Sequence, residues 1–370
     1  MIRAFSSLVL LASLVTGCSV PAATTGGGTT PTVAATPAST TAPATATPTL
    51  APTTAAAASA STTPTATAPA SATATASASP TPTPTATPTQ AAAPTPVTAV
   101  ASGPAMTVLG TENFYSDLLL QIGLQRVRAY SFINDPNADP HEFEASPASA
   151  ALVADAQIVI VNGAGYDDFM GKLLAASTRP NRIVITVQDL IGFTGDVNVH
   201  IWYDPKTMPI DAEAATAALI KLDPQNAAYY AQNKLAYLAR LAPISAKVAQ
   251  LRAKYAGTPI AFTENVAGYL TDAIGLKLLT PLGFMKAIEQ GIDPAPADVA
   301  AERDLITGRK VKVLLYNTQV ISPTTQQIHD LAVQNGVPIV GVAETVPPAF
   351  GTFQDWMLSQ LNDLETVLAK

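Results

Sequence analysis

The stretch "SPASAALVADAQIVIVNGAGYDDFMGKLLAASTRPNRIVITV", Ser146 to Val187, decides the fold. Ser146 and Pro147 open it as an N-cap and a first helical position, and "ASAALVADA" follows as a helix. "IVIVN" is a strand. "YDDFMGKLLAAS" returns to a helical pattern, and "RIVITV" is a strand again. Strand alternating with helix at this spacing implies a parallel sheet with helices on its faces.

The same alternation extends in both directions. Upstream, "MTVLG" reads as a strand, "NFYSDLLLQIG" as a helix ending at Gly123, and "VRAYSFI" as a strand. Downstream, "RIVITV" leads through a loop to a helix starting near Asp211. "PIAFT", "VKVLLYN" and "VPIVGVA" then read as strands. "NVAGYLTDAIG", "SPTTQQIHDLAVQNG" and "TFQDWMLSQLNDLETVLA" read as helices, the second with the same Ser-Pro start. Between the two alternating halves runs one long helical segment, from Asp223-Pro224 to Gly257. Pro243 lies inside it and is expected to kink or divide it. The expected architecture is α/β: an N-terminal lobe over 106–222, a connecting helix over 223–257 and a C-terminal lobe over 258–370.

The chain before Met106 has a different character. "MIRAFSSLVLLASLVTGC" joins basic Arg3 to an apolar run too short for a stable membrane span, then small residues and Cys18. Residues 1–18 therefore read as a signal peptide, and "LVTGC" resembles the lipobox of bacterial lipoproteins, with Cys18 as the lipid acceptor. Cys18 is the single cysteine, which excludes an internal disulfide and a thiolate metal cluster. Residues 19–105 are almost wholly Ala, Thr, Pro, Ser and Gly, with no charged residue, and are expected to form an extended, disordered stalk. The formal net charge of the chain is −7, every acidic residue lies in the remainder, and this argues against a nucleic-acid partner.

In open α/β sheets, ligands bind beyond the carboxyl ends of the strands. The chain has 3 histidines, and two of them fall there. His141 follows "VRAYSFI" in the acidic loop "ADPHEFEASP", and His200 lies in "NVHIWYDP" after "RIVITV". Glu264 directly follows "PIAFT", and Glu344 directly follows "VPIVGVA". Singly, each has a plain alternative. A loop histidine caps a turn, His200 packs beside Ile201 and Trp202, and a glutamate favours a helix N-terminus. Jointly, two imidazoles and two carboxylates at four strand ends suit a divalent transition metal. His329, in "QQIHDLAV", reads as a helix-surface residue.

These motifs resemble the metal-binding subunits of zinc and manganese ABC importers. "DPHEFEASPASAALVADAQIVIVNGAGYDDF" is similar to that family's first histidine loop with the following elements, and "NVHIWYDP" to its second histidine motif. "FTENVAGYLTDAIGL" aligns with the segment of the third ligand, and "VAETVPP" with that of the fourth. The resemblance runs from Met106 to the C-terminus. It implies a metal ion held between the lobes by His141, His200, Glu264 and Glu344. It also implies a monomeric, non-enzymatic receptor that is lipid-anchored at the outer face of the bacterial cytoplasmic membrane. Such a receptor delivers zinc, or alternatively manganese, to a permease served by a separate ATPase. There are departures: the family's usual fourth aspartate is Glu344 here, and "LIGFTGDVN" stands where many zinc members carry a histidine-rich loop. The alternatives are a surface-displayed adhesin and a metallohydrolase. Four protein ligands would leave a catalytic zinc no open position for water.

Overall fold

A computed structural model describes residues 105–370. The expectations for the signal peptide, Cys18 and the stalk lie outside the described residues. The first lobe comprises β1 (Met106–Gly110), α1 (Asn113–Gly123), β2 (Val127–Tyr130), α2 (Pro147–Asp155), β3 (Ile158–Val161), α3 (Phe169–Ala176), β4 (Ile183–Thr186), α4 (Val187–Leu190) and α5 (Thr207–Leu222). A long helix, α6 (Ala227–Tyr255), follows. The second lobe comprises β5 (Pro259–Phe262), α7 (Gly268–Ile274), β6 (Lys277–Leu278), α8 (Leu282–Glu289), α9 (Pro296–Thr307), β7 (Leu314–Asn317), α10 (Pro323–Asn335), β8 (Ile339–Val342) and α11 (Phe353–Leu368).

Each lobe holds a four-stranded sheet in which every pairing is parallel, ordered β2-β1-β3-β4 in the first and β6-β5-β7-β8 in the second. All four residues of β3 are buried. Ile158 and Ile160 join the main core, while Val159 and Val161 join a second cluster with Val153 of α2 and Met170 of α3. A strand covered on both faces has no polar positions to alternate, which is why "IVIV" carries no period-two pattern. Both Ser-Pro starts are true helix caps. Ser146 and Ser149 exchange side-chain and backbone bonds in a capping box, and Ser322 and Thr325 do the same.

Several boundaries differ from the sequence reading. The helix expected near Asp211 begins at Thr207, and Asp211 is buried within it. The helix expected from Tyr166 begins at Phe169, and that expected from Asn265 begins at Gly268. The connecting helix is Ala227–Tyr255, preceded by a 3-10 turn at Pro224–Asn226. Pro243 does not divide it. Proline removes the bond to the carbonyl four residues back and its ring crowds that carbonyl, a cost confined to one turn. The buried stripe Tyr230, Tyr237, Leu241, Ile244 and Val248 runs straight through that point. Packing of this stripe against α1, α5, α7 and α11 outweighs that cost. The short β6 and helices α8 and α9 carry no counterpart in the sequence reading. Among the described residues, no helix is long and apolar enough to cross a membrane.

Candidate metal centre

The carboxyl ends of the two sheets face one cleft, and the four strand-end residues meet there. One ligand atom from each of His141, His200, Glu264 and Glu344 lies within 4.8 Å of all the others. His141 Nε2 is 3.3 Å from Glu264 Oε1 and 3.4 Å from Glu344 Oε2. His200 Nε2 is 3.5 Å and 3.1 Å from the same two oxygens. Donors bound tetrahedrally at ~2.0–2.1 Å to one ion sit roughly 3.3 Å apart, so these four edges fit a small divalent cation. His141 Nε2 and Glu264 Oε1 are buried and lack any hydrogen-bond partner of proper geometry. Groups left so are rare and costly unless something else binds them.

The local sequence accounts for each position. Asp139, Pro140 and the turn Pro140–Glu142 build the His141 loop, in which Asp139 Oδ1 accepts the His141 backbone N–H at 2.9 Å. Asn198 Oδ1 accepts the His200 backbone N–H at 3.0 Å and lies 2.8 Å from His200 Nδ1. Because that oxygen can only accept, Nδ1 carries the proton and Nε2 turns its lone pair to the cleft. His200 is wholly buried, its ring centroid 5.3 Å from Trp202, so the packing alternative and the site reading both describe it. Glu264 and Glu344 are also wholly buried at the ends of β5 and β8. His329 stays outside the cleft on α10, half-buried with its ring 5.0 Å from Tyr316.

The electrostatics favour a cation at this point. Burial works against an imidazolium, yet the two glutamates override it and push His141 up to about 11. Burial likewise works against the Glu344 carboxylate, but His141 and His200 hold it well below the usual range. Glu264 moves the other way, raised by burial and by Glu344 beside it. Two buried carboxylates thus stabilise whatever positive charge stands between them.

Four further residues complete the site, and the sequence reading missed them. Tyr166 donates its hydroxyl to Glu344 Oε2 at 2.9 Å. It is aimed by the turn Gly163-Ala164-Gly165, all at positive φ, which Asp167 ties down by accepting the Asn162 and Gly163 N–H groups. Asn317, the last residue of β7, donates through Nδ2 to Glu264 Oε2 and Glu344 Oε1, each at 2.7 Å. Gln319 joins the lobes: Nε2 donates to the carbonyls of Asp135 and Ala138, and Oε1 accepts from the N–H groups of Glu344 and Thr345. Asn198 does so too, donating to the Asn265 carbonyl at 2.6 Å. All four lie in or beside strand-end loops. The strand-end rule applied to amides and phenols, and not to charged groups and imidazoles alone, would have found Asn317 and Gln319. Glu112 follows β1 as Glu264 follows β5, each within Thr-Glu-Asn. It is buried without side-chain partners and stands outside the cluster of four.

Comparison with known proteins agrees with this geometry. Residues 108–367 match the family described as zinc-uptake complex component A, periplasmic, and the chain belongs to that family. It is 23% identical over 199 residues to the high-affinity zinc uptake system protein ZnuA of Bacillus subtilis, covering 49% of this chain and 61% of that protein. It is 25% identical over 139 residues to the manganese-binding lipoprotein MntA of Halalkalibacterium halodurans, covering 37% of this chain and 46% of that protein. These matches therefore span less than two thirds of either relative. The periplasmic zinc-binding protein TroA of Treponema pallidum superposes with a TM-score of 0.63 at 19% identity, over 72% of this chain and 100% of that one. That likeness bears on the fold, two α/β lobes with a long central helix.

Proposed function

We propose that the protein captures a divalent transition ion, zinc in preference to manganese, and hands it to a membrane permease of the ABC type. The observation that carries this reading is the convergence of four donors from two lobes, two of them buried and otherwise unpartnered. The first lobe supplies both nitrogens and the second both oxygens. Separating the lobes therefore splits the donor set in half and releases the ion, which is what a carrier requires. In this reading residues 106–222 and 258–370 are the capturing lobes and 223–257 the connector. The family membership supports transport, as do the relatives' own names, among them a zinc-uptake protein and a manganese-binding lipoprotein. The adhesin reading has no such support.

The same four donors speak against catalysis, because a filled shell leaves no position for a reactive water. Cys18 is the acceptor for a lipid anchor at the outer face of the membrane. The test is elemental analysis and calorimetry of the purified protein beside a variant with His141, His200, Glu264 and Glu344 all replaced by alanine. One ion per wild-type chain and none in the variant is expected. Stoichiometric binding that survives in the variant would place the ion elsewhere.

A further inference from the structure

Asn317 stands between two carboxylates because of the strand order. β7 lies between β5 and β8, so the side chain at its end sits between Glu264 beyond β5 and Glu344 beyond β8. Its Nδ2 carries two hydrogens and donates one to Glu264 Oε2 and one to Glu344 Oε1, both at 2.7 Å. Its Oδ1 accepts the backbone N–H of Gln319 at 3.0 Å. This fixes the amide orientation. Turned over, the amide oxygen would face two carboxylates and the NH2 group would face an N–H, and all three contacts would repel. Asn317 is wholly buried, so no water competes for these bonds.

Each glutamate thus turns one oxygen to the histidines and the other to Asn317. Glu264 Oε1 is unpartnered, and Glu344 Oε2 faces both histidines and Tyr166. We propose that Asn317 is a specificity-determining residue: by holding one oxygen of each carboxylate turned away from the histidines it keeps both glutamates monodentate, and so restricts the site to two nitrogens and two oxygens, a four-donor set that selects zinc over manganese. The inference rests on the metal-capture reading above. Zinc has no geometric demand beyond a small shell and is satisfied by four donors. Manganese prefers an oxygen-rich, six-donor shell and gains most from carboxylates that chelate through both oxygens. Glutamate at the fourth position adds reach, and without the amide that reach would let Glu344 chelate.

X-ray absorption on the zinc-loaded wild-type protein counts the donors directly. Four nitrogen and oxygen donors at ~2.0–2.1 Å are expected. Five or more, with a carboxylate carbon at the short distance of a chelate, would overturn the inference even though the ion is bound. A wild type that binds neither zinc nor manganese would overturn the metal-capture reading itself. Competition between the two ions is then measured in Asn317→Ala. Simple structural damage weakens both ions alike and leaves their ratio unchanged. Release of the carboxylates should raise the manganese-to-zinc affinity ratio about tenfold or more, the scale on which groups behind a ligand act. An unchanged ratio in a folded, zinc-binding variant would refute the role of Asn317. Should the variant fail to fold, the wild-type spectrum decides.

Discussion

Tyr166 of the first lobe donates its hydroxyl to Glu344 Oε2 of the second lobe at 2.9 Å. Burial, with Glu344 beside it, raises the phenol well above its ordinary range, so it stays a donor at every physiological pH. The bond does two things at once. It aims a carboxylate oxygen of the cluster, and it ties the two lobes together across the cleft. Tyr166→Phe keeps the ring against His141 and Trp202, at centroid distances of 5.1 Å and 4.9 Å, and removes only the donor. Zinc affinity should fall about 10–100-fold, the usual effect of losing a partner behind a metal ligand. Equilibrium competition against a chelator of known affinity checks this, and a change below threefold would show that the bond does not orient Glu344.

The two histidines should respond differently to removal. His141 sits in a surface loop with its side chain 19% exposed, whereas His200 is wholly buried beside Trp202. Either change to alanine should lower metal affinity by orders of magnitude, since each removes a nitrogen donor. His200→Ala should also destabilise the metal-free protein, on the order of 2 kcal/mol, through the cavity it leaves. His141→Ala should also lower the metal-free melting temperature, not through a cavity but by leaving the two buried carboxylates without the cation between them. Saturating zinc should raise the wild-type melting temperature and not that of either variant, because the ion binds the folded state alone. His329→Ala should alter neither property. Thermal melts with and without zinc on the four proteins check all of these together.

Much of this site is legible in the sequence because strand ends are. "IVIVN" and "RIVITV" mark themselves by apolar runs and the Ser-Pro pairs mark the helix starts, so few residues qualify as lying just past a strand. The unread part has physical reasons. β6 is 2 residues long, too short for any periodicity. α9 mixes alanines with charged residues and buries only Glu302 and Ile306, so no apolar stripe announces it, although Pro296 at its first turn is a start signal. Pro243 carries a local signal for a break in α6, but local propensity yields where a helix is held by packing along its whole length. Asn317 and Tyr166 touch the clustered glutamates. Their importance depends on which strands are neighbours, and strand order is not written in any one segment.

The third donor offers a handle on ion choice. Glu264→His would exchange one carboxylate for a third imidazole, giving three nitrogens and one oxygen. Imidazole suits zinc better than manganese, which prefers carboxylate oxygen. The substitution should therefore widen the preference for zinc, chiefly by weakening manganese. It also strands one of the two Asn317 N–H donors, so zinc affinity itself should gain little. Calorimetric competition on wild type and Glu264→His tests this. A wild type that already prefers manganese, or a variant that loses zinc relative to manganese, contradicts this account of selectivity.

A buried acid away from the cleft predicts how stability varies with pH. Glu302 on α9 is wholly buried, neither carboxyl oxygen has a hydrogen bond of full geometry, and the Thr280 side chain offsets its burial only in part. Burial pushes it up to about 8 from its ordinary 4.5. Between those two values the folded protein keeps a proton that the unfolded chain has lost, so stability falls as pH rises through this window and is level below it. Each unit of pKa displacement is worth about 1.36 kcal/mol, which puts the loss on the order of 4 kcal/mol by pH 8. Glu302→Gln keeps the shape and cannot ionise. Its denaturation midpoint should lie near that of wild type at pH 4.5 and well above it at pH 8.5. Parallel pH profiles for the two proteins would show that Glu302 is already solvated or paired in the folded state, and that the window belongs to another group.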